Sequence, residues 1–431
     1  MSPAAPIAKI SLKPLGTVDD STGASVGITV RFEFPQTGET IDLPLPDRGP
    51  LDIGRARAGG YLQRLVASSA TTRGSLPVAA DAFRLLLSAG RELRGLLVQD
   101  DPDKKIRLED AFRRAWPSYA DPDWNDRSTP LPYVQVVGQR EAFPFELLPL
   151  FDFSGLPELK TDLDLARAAA RFLGFTVVVQ RDLSQSVHTG GVLLNDPQLP
   201  IQFGRHRSVG RDEESFLRRL EPFVDIDGPW PDSDREDVKE TLLEALYHPS
   251  KQRLDQTAPR TPPVQVQHFA CHCDTTPAFD RDYELVLTTS NRKRRPITLG
   301  EIKDGYEDRL ANDRDPKQER AVIIMNACAS SHIDPTTASS FPHWFIANGH
   351  RAFVGTETDI PDGVASEFAF KLYAELLDKQ PLGAALVRAR RSMLVDHKNP
   401  LGILYVMYGD AELTVQVQRP IFDRPTATAS G

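Results

Sequence analysis

The chain has 431 residues, of which 40% are hydrophobic and 26% charged, a composition typical of a folded globular protein. Its 51 basic and 60 acidic side chains give a formal net charge of −9, which argues against a broad basic face and so against nucleic acid as a directly bound partner. No apolar run approaches the roughly 20 residues of a membrane-spanning helix, and residues 1–16 lack the pattern of a secretory signal. We therefore expect a cytoplasmic protein with no membrane partner.

The first half of the chain predicts a β-hairpin followed by helices and two further strands. Residues 27–34 alternate apolar with small or polar side chains, as a half-buried strand does, and residues 40–46 are expected to pair with them. Residues 78–99 place Phe83 and several leucines on one face of an amphipathic helix. The other elements expected here are strands at 133–137 and 176–180 and a helix at 159–174.

Short apolar strands alternate with helices in the second half. This alternation is typical of a mostly parallel sheet covered by helices on both faces, so the expected fold class is α/β, with the N-terminal β-hairpin and helices attached. The basic residues 292–295 are expected in a solvated loop, and residues 302–320 in a surface helix plus loop. The expected strands are 190–195, 264–270, 283–289, 321–326, 351–355 and 403–409, and the expected helices are 211–222, 234–247, 339–348, 361–379 and 382–396.

Reactive side chains follow two of these strands. His272, which stands between two cysteines, follows the strand that ends at Ala270, and Cys328 comes shortly after the strand that ends at Asn326. The loops at the carboxyl ends of parallel strands carry the chemistry of α/β sheets, so an imidazole and a thiol meet if the two strands are neighbours. A cysteine nucleophile needs this pair, because the thiolate is the attacking species and a nearby imidazole lowers the pKa of the thiol.

The residues around these two positions resemble a known family. Residues 268–273 (HFACHC) and 323–331 (IIMNACASS) are similar to the histidine and cysteine motifs of the CHAT-domain family, caspase-like cysteine peptidases related to separases and metacaspases. Further stretches that resemble family motifs, in the correct order, are 143–150, 352–377, 383–391 and 405–413. The resemblance implies a caspase-like peptidase domain over 131–418. An N-terminal strand–helix region, 1–130, either precedes this unit or belongs to it, and residues 419–431 are expected to be a disordered tail.

The resemblance also implies an activity and its residues. The chain would be a cysteine endopeptidase in which His272 is the base, Cys328 is the nucleophile, and the backbone N–H groups of Cys273 and Cys328 hold the oxyanion. Its substrate would be a protein, a companion effector in a bacterial defence or cell-death module, with a regulatory partner as a further expectation and no metal or organic cofactor. Two departures from the family pattern are Cys273, where glycine is usual, and Thr358, where tryptophan is common.

Three polar residues near the strand ends are expected to meet the substrate: Asn326, Glu357 and Asp359. The alternative for Asp359, and for the nearby Asp362, is to cap the following helix. Metacaspases carry an acidic residue two positions before the nucleophile and cut after Arg or Lys, whereas here that position is the neutral Asn326. We therefore expect an uncharged or loosely specified residue before the cut, unless Glu357 or Asp359 reaches into the pocket.

Two other functions are compatible with the sequence. One is a non-catalytic CHAT-like scaffold that binds a protein partner in the same crevice, an alternative supported by the missing glycine at Cys273. The other is a redox or metal sensor built on Cys271, Cys273 and Cys328. A zinc site that adds His268 lacks the usual paired spacing of ligands, and His268 itself is expected to be a hydrogen-bonded core residue.

Overall fold

A computed structural model gives the arrangement of the elements. It describes residues 5–15, 27–45, 48–71, 73–117, 124, 127, 129–138, 143–150, 158–183, 191–194, 198–209, 211–231, 237–247, 264–275, 283–288, 294–312, 321–327 and 340–416. The strands are β1 Ala8–Leu15, β2 Gly27–Phe34, β3 Glu39–Pro44, β4 Tyr133–Val137, β5 Val178–Asp182, β6 Val192–Leu193, β7 Leu199–Arg205, β8 Val224–Trp230, β9 Val266–Thr275, β10 Tyr283–Thr288, β11 Arg294–Thr298, β12 Val322–Ala327, β13 Ala352–Thr356, β14 Tyr405–Gly409 and β15 Thr414–Val415. The helices are α1 Arg48–Ser68, α2 Leu76–Val98, α3 Pro102–Ala115, α4 Asp162–Ala169, α5 Leu173–Thr176, α6 Arg211–Arg218, α7 Val238–Tyr247, α8 Leu299–Asn312, α9 Phe341–Ala347, α10 Asp362–Leu377 and α11 Leu382–His397.

One large sheet organises the described part of the chain. Its strands follow the order β11-β10-β9-β12-β13-β14-β5-β4-β1-β2-β3, and β7 pairs with β9 on one side and β8 on the other. Parallel pairs include β7 with β9, β9 with β12, β12 with β13 and β4 with β5, whereas the antiparallel pairs lie mainly towards the two ends of the order. The predicted α/β class with a mostly parallel sheet is confirmed.

Apolar side chains on the two faces of the sheet pack against different helices. Ala270, Ile324 and Val354 belong to a core that contains buried residues of α10 and α11. Their neighbours along the strands, such as Phe269 and Ile323, belong to a second core with residues of α8 and α9. Because successive side chains of a strand point to opposite faces, these two cores show that helices cover both faces of the sheet.

The N-terminal residues join the same sheet. The predicted hairpin is confirmed, since β2 and β3 pair antiparallel, and β1 connects it to the rest of the sheet by pairing in parallel with β4. The predicted tail at 419–431 lies outside the described residues. In the part of the chain that is described, no helix combines the length and the apolar character that a membrane crossing requires.

Several elements differ from the sequence predictions. Arg294 and Arg295 lie in β11, so the prediction of a loop at 292–295 is wrong for these two residues. Helix α8 confirms the predicted helix near 302–320, but it packs on the sheet through buried Ile302 and Tyr306 rather than lying on the surface. The strand predicted at 190–195 is only the two-residue β6, which pairs with β15 apart from the large sheet.

Strand β9 is longer than predicted, and this matters for the site. Its residues 272–275 continue beyond 270 because they pair antiparallel with residues 283–286 of β10. His272 therefore lies within a strand, and the prediction that it lies in a loop is wrong. A ladder of backbone hydrogen bonds holds its backbone in place, which gives the imidazole a firmer support than a loop provides.

Candidate active site

The two strands that carry the candidate dyad are neighbours. Strands β9 and β12 pair in parallel, and Cys271 stands opposite Ala327 at the end of this ladder. His272 is the next residue of β9, and Cys328 is the next residue of the chain after Ala327. Cys328 lies outside the described residues. The adjacency on which the sequence argument depends is confirmed, because the carboxyl ends of both strands meet at the same edge of the sheet.

A cleft of about 340 Å³, open to solvent, lies at this edge. The ends of β9, β12 and β13 and the first turns of α6 and α10 line it. Its polar side chains are those of Glu213, His272, Asn326, Thr356 and Asp362. The Thr356 hydroxyl donates to the carbonyl oxygen of Ala327 at 2.8 Å, which ties the end of β13 to the residue just before Cys328.

The cysteines beside His272 face the other side of the sheet. Cys271 is buried in the core that contains Phe269, and Cys273 packs against the same core. His268 belongs to the opposite face, where it stacks on Tyr373. A zinc site that combines His268 with these two cysteines is therefore not assembled. Among the described residues, no group of three or more His, Cys, Asp or Glu side chains is arranged to hold a metal ion.

His272 is half-buried and lies against the segment that follows β7. Its ring packs edge-to-face on the ring of His206, with centroids 4.6 Å apart, and its Nε2 lies 3.4 Å from the Ser208 hydroxyl. The same hydroxyl is 2.6 Å from Nδ1 of His206. Neither residue is predicted from the sequence, because β7 carries no predicted strand pattern and the position of the segment after Arg205 depends on it.

A buried carboxylate in the wall of the cleft holds the core residue His268 and the cleft residue Asn326. Glu213, near the start of α6, is 2% exposed. Its Oε1 lies 2.6 Å from Nε2 of His268 and accepts a hydrogen bond of 2.7 Å from the amide of Asn326. His268 is fully buried, and its Nδ1 lies 2.9 Å from the Tyr373 hydroxyl, whose pKa is raised well above its usual value by burial and by the nearby Glu213 charge. His268 is thus a core histidine, as predicted.

Asn326 is held by protein groups on both sides of its amide. Besides Glu213, its Nδ2 donates to the carbonyl oxygen of Ala365 at 3.0 Å, and its Oδ1 accepts from the Tyr405 hydroxyl at 2.5 Å. Asn326 lines the cleft, but each end of its amide already has a hydrogen-bond partner. Asn326 therefore links α6, α10 and β14 under the cleft.

Asp362, and not the two predicted carboxylates, lies at the cleft. It is the first residue of α10, and desolvation raises its pKa, while the nearby His272 opposes that shift. Asp359 is exposed and is not among the described residues that line the cleft. The N-cap of α10 is Pro361, which makes no side-chain cap hydrogen bond, so neither Asp359 nor Asp362 caps this helix.

Glu357 lies away from the cleft, towards the other face of the sheet. Desolvation raises its pKa to about 7 against the opposing charge of Arg181, and its Oε1 is buried without a hydrogen bond from any described residue. Arg181 in turn lies over the ring of Tyr408, 5.6 Å from its centroid, and Tyr408 belongs to the core that contains Cys271. The structure therefore does not bring Glu357 to the described lining of the cleft.

Comparison with known proteins finds a family model that matches part of the chain. A family model for the CHAT domain matches residues 231–422, and no curated protein matches the sequence. Among solved structures, chains from two crystal structures of the Saccharomyces cerevisiae separase–securin complex match 95% of this chain, at 11% and 10% identity and with TM-scores of 0.41 and 0.45. This chain covers 30% of each matched chain, so it spans less than a third of their length. Residues 231–422, which contain the two strands that lead to His272 and Cys328, are thus similar to the CHAT domain.

Proposed function

We propose that the chain is a cysteine endopeptidase with a dyad of His272 and Cys328. One observation carries this proposal: the parallel ladder of β9 and β12 ends at the pair Cys271 and Ala327, and the next residues of the chain are His272 after the first and Cys328 after the second. A cleft opens at these strand ends and His272 lines it.

The reaction would proceed through an acyl-enzyme. His272 takes the thiol proton of Cys328, and the thiolate adds to the carbonyl carbon of the peptide bond. The imidazolium then gives its proton to the leaving amine, and a water molecule hydrolyses the thioester with His272 again acting as base. The pair therefore moves every proton of the reaction, and this chemistry has no step for a metal or an organic cofactor.

The alternation of backbone groups along β9 supports an oxyanion role for the N–H group of Cys273. The carbonyl oxygen of Ala270 accepts from the N–H of His206 on the β7 side, whereas that of Gln265 accepts from Val322 on the β12 side. Because consecutive residues of a strand direct their backbone groups to opposite edges, the N–H of Cys273 is expected on the β12 side, next to the proposed nucleophile. The backbone N–H of Cys328 would be the second donor. Loss of one such donor costs about 100- to 1,000-fold in rate.

We further propose that the substrate is a companion effector protein of a bacterial defence or cell-death module in the cytoplasm, with a regulatory partner as the trigger. The match of residues 231–422 to the CHAT domain supports this assignment. The functional unit in this proposal is the peptidase domain 131–418. Its support is that β7 and β5, which lie before the residues matched by the family model, pair with β9 and β14, which lie within them.

The test compares three variants on a proteome-derived peptide library, with new chain termini identified by mass spectrometry. Cys328→Ala and His272→Ala are expected to abolish cleavage. Cys273→Ala is the matched control: it removes a neighbouring thiol on the other face but keeps the backbone N–H, so cleavage should persist. Cleavage by Cys328→Ala would disprove the dyad. A wild-type chain that binds a protein partner without cutting any peptide would favour the non-catalytic scaffold, the alternative function.

A further inference from the structure

We infer that Ser208 and His206 are positioning residues that set the tautomer of His272, with the proton on Nε2 and the basic lone pair on Nδ1. The inference rests on three distances among these side chains and the rules of hydrogen-bond donation. Its kinetic consequence rests on the proposed peptidase function, whereas the tautomer itself does not.

The protonation of His206 follows from its backbone partner. The backbone N–H of Ser208 donates to Nδ1 of His206 at 3.3 Å. A backbone N–H has no lone pair to offer, so Nδ1 must be the acceptor and carries no proton. The Ser208 hydroxyl lies 2.6 Å from the same Nδ1. Because that nitrogen accepts, the hydroxyl directs its one proton to His206.

The tautomer of His272 follows in turn. With its proton directed to His206, the oxygen of Ser208 acts as an acceptor towards Nε2 of His272, which lies 3.4 Å away. Nε2 must then carry the proton. A neutral imidazole has a single N–H, so Nδ1 of His272 holds the lone pair that takes the thiol proton.

The same contacts hold the ring through the proposed reaction. When Nδ1 of His272 accepts the proton of Cys328, the N–H on Nε2 and its acceptor at Ser208 stay in place. The edge-to-face packing of the two imidazoles, at 66° between ring planes, fixes the orientation of the His272 ring as well. Ser208 and His206 thus hold one nitrogen of the base while the other exchanges protons.

The experiment reads the tautomer directly. Two-bond ¹H–¹⁵N NMR spectra of the full chain, with the His272 signals assigned by their loss in His272→Ala, are expected to show the proton on Nε2 at neutral pH. Ser208→Ala should give a mixture of tautomers, and Ser208→Thr, which keeps the hydroxyl, should restore the wild-type pattern. His206→Phe keeps a ring and removes the acceptor, so it should also give a mixture. Ser208 is exposed, so the alanine variant is expected to fold.

A second measurement is the rate at which iodoacetamide alkylates Cys328, followed by mass spectrometry of the peptide that contains it. Loss of one hydrogen bond that positions the base should lower this rate about 3- to 10-fold in Ser208→Ala, with recovery in Ser208→Thr. The inference is overturned if the wild type carries the His272 proton on Nδ1, or if Ser208→Ala changes neither the tautomer nor the alkylation rate. Cleavage by Cys328→Ala would instead overturn the peptidase function and leave the tautomer result standing.

Discussion

Glu213 and Asp362 give the cleft a negative charge that the local motif around Asn326 does not reveal. Both line the cleft, and they come from the first turns of two different helices, α6 and α10. Glu213 directs its Oε1 to His268 and Asn326. Two carboxylates at one cleft favour a positively charged occupant. The expectation of an uncharged residue before the cut, drawn from Asn326, stays a prediction, and the two carboxylates support a competing prediction, a preference for Lys or Arg.

We predict that Asp362→Asn lowers kcat/KM about tenfold for peptides with Lys or Arg before the cut and leaves peptides with an uncharged residue there unchanged. The physical reason is the loss of one charge partner for the substrate side chain at the mouth of the cleft. Profiling on a peptide library measures the effect. Asp359→Asn is the matched control, because it neutralises an exposed carboxylate outside the described lining. Equal losses for charged and uncharged peptides in Asp362→Asn would contradict a role in specificity.

Glu357 predicts a pH dependence of stability. Its pKa is raised from 4.5 to about 7 by desolvation, so between these pH values the folded chain binds a proton that the unfolded chain releases. The free energy of unfolding should then fall as pH rises from about 4.5 to 7 and stay level above it, because the folded state keeps a buried charge at a cost. Glu357→Gln should remove this fall.

The measurement is urea unfolding of both proteins across this pH range. At pH 8 the Glu357→Gln variant should be more stable than the wild type, by up to about 3 kcal/mol, and the two should be similar at pH 4. The exposed-site variant Asp359→Asn should keep the wild-type profile. Parallel profiles for wild type and Glu357→Gln would show that Glu357 titrates normally.

At the scale of elements, the sequence predicts the helices and strands whose apolar residues follow a clear local periodicity. Strand β2 and helices α2, α10 and α11 follow their patterns closely. Helix α3 has few apolar residues, so its apolar pattern does not predict it. Its start signal is Asp101, whose side chain caps the helix by accepting from the N–H groups of Asp103 and Lys104. Strand β8 contains Asp and Pro, which disfavour strands, and it forms because β7 provides a partner.

The candidate site likewise has one part that the sequence predicts and one part that it does not. The pairing of Cys271 with Ala327, which brings the positions before His272 and Cys328 together, is predictable. It depends on two strongly apolar strands and on the rule that chemistry gathers at their carboxyl ends. The positions of Ser208, His206 and Glu213 are not predictable in this way. All three depend on the position of β7, whose partner β9 lies far along the chain. Only tertiary packing brings that segment to the cleft.

Replacement of glycine by alanine should change the free energy of unfolding in opposite directions at two positions in neighbouring helices. In α2, a Cβ on Gly90 would lie 2.5 Å from the carbonyl oxygen of Leu147 and 2.7 Å from Cδ of Pro149. In α1, a Cβ on Gly59 would meet nothing within 4 Å. Gly90→Ala should therefore lower the free energy of unfolding by about 1–3 kcal/mol through overpacking, whereas Gly59→Ala should raise it by about 0.5–1 kcal/mol through better helix propensity.

Thermal and urea unfolding of the two alanine variants decide the point. Because both variants replace glycine by alanine, the difference between their changes in the free energy of unfolding reports the packing at the α2 surface. If Gly90→Ala were as stable as Gly59→Ala, the close approach of α2 to the segment at Leu147 would be wrong.

At the scale of the whole molecule, a buried ionic cluster joins the residues before the family match to those within it. Glu146 pairs with Arg181 of β5, and its Oε1 lies 3.9 Å from the guanidinium of Arg390 in α11. All three side chains are almost fully buried. Arg390 also donates to the carbonyl oxygens of Gly174 and Tyr405. Burial lowers the pKa of Arg390 to about 10, and the Glu146 charge limits that shift.

This cluster predicts that the segment around Glu146 is indispensable to the fold of the CHAT region. Glu146→Gln keeps the volume of the side chain but leaves two guanidinium groups buried without their carboxylate, which should lower the free energy of unfolding by about 3–5 kcal/mol. Asp42→Asn is the matched control: it breaks the pair with Arg31, in which both side chains are a third or more exposed, so the loss of stability should be much smaller. Urea unfolding measured on both variants, with the pairing of β5 and β14 followed by hydrogen exchange, gives the comparison. Equal small losses would mean that hydrogen bonds to backbone carbonyls alone hold the two arginines, and that the residues before the family match do not stabilise it through charge.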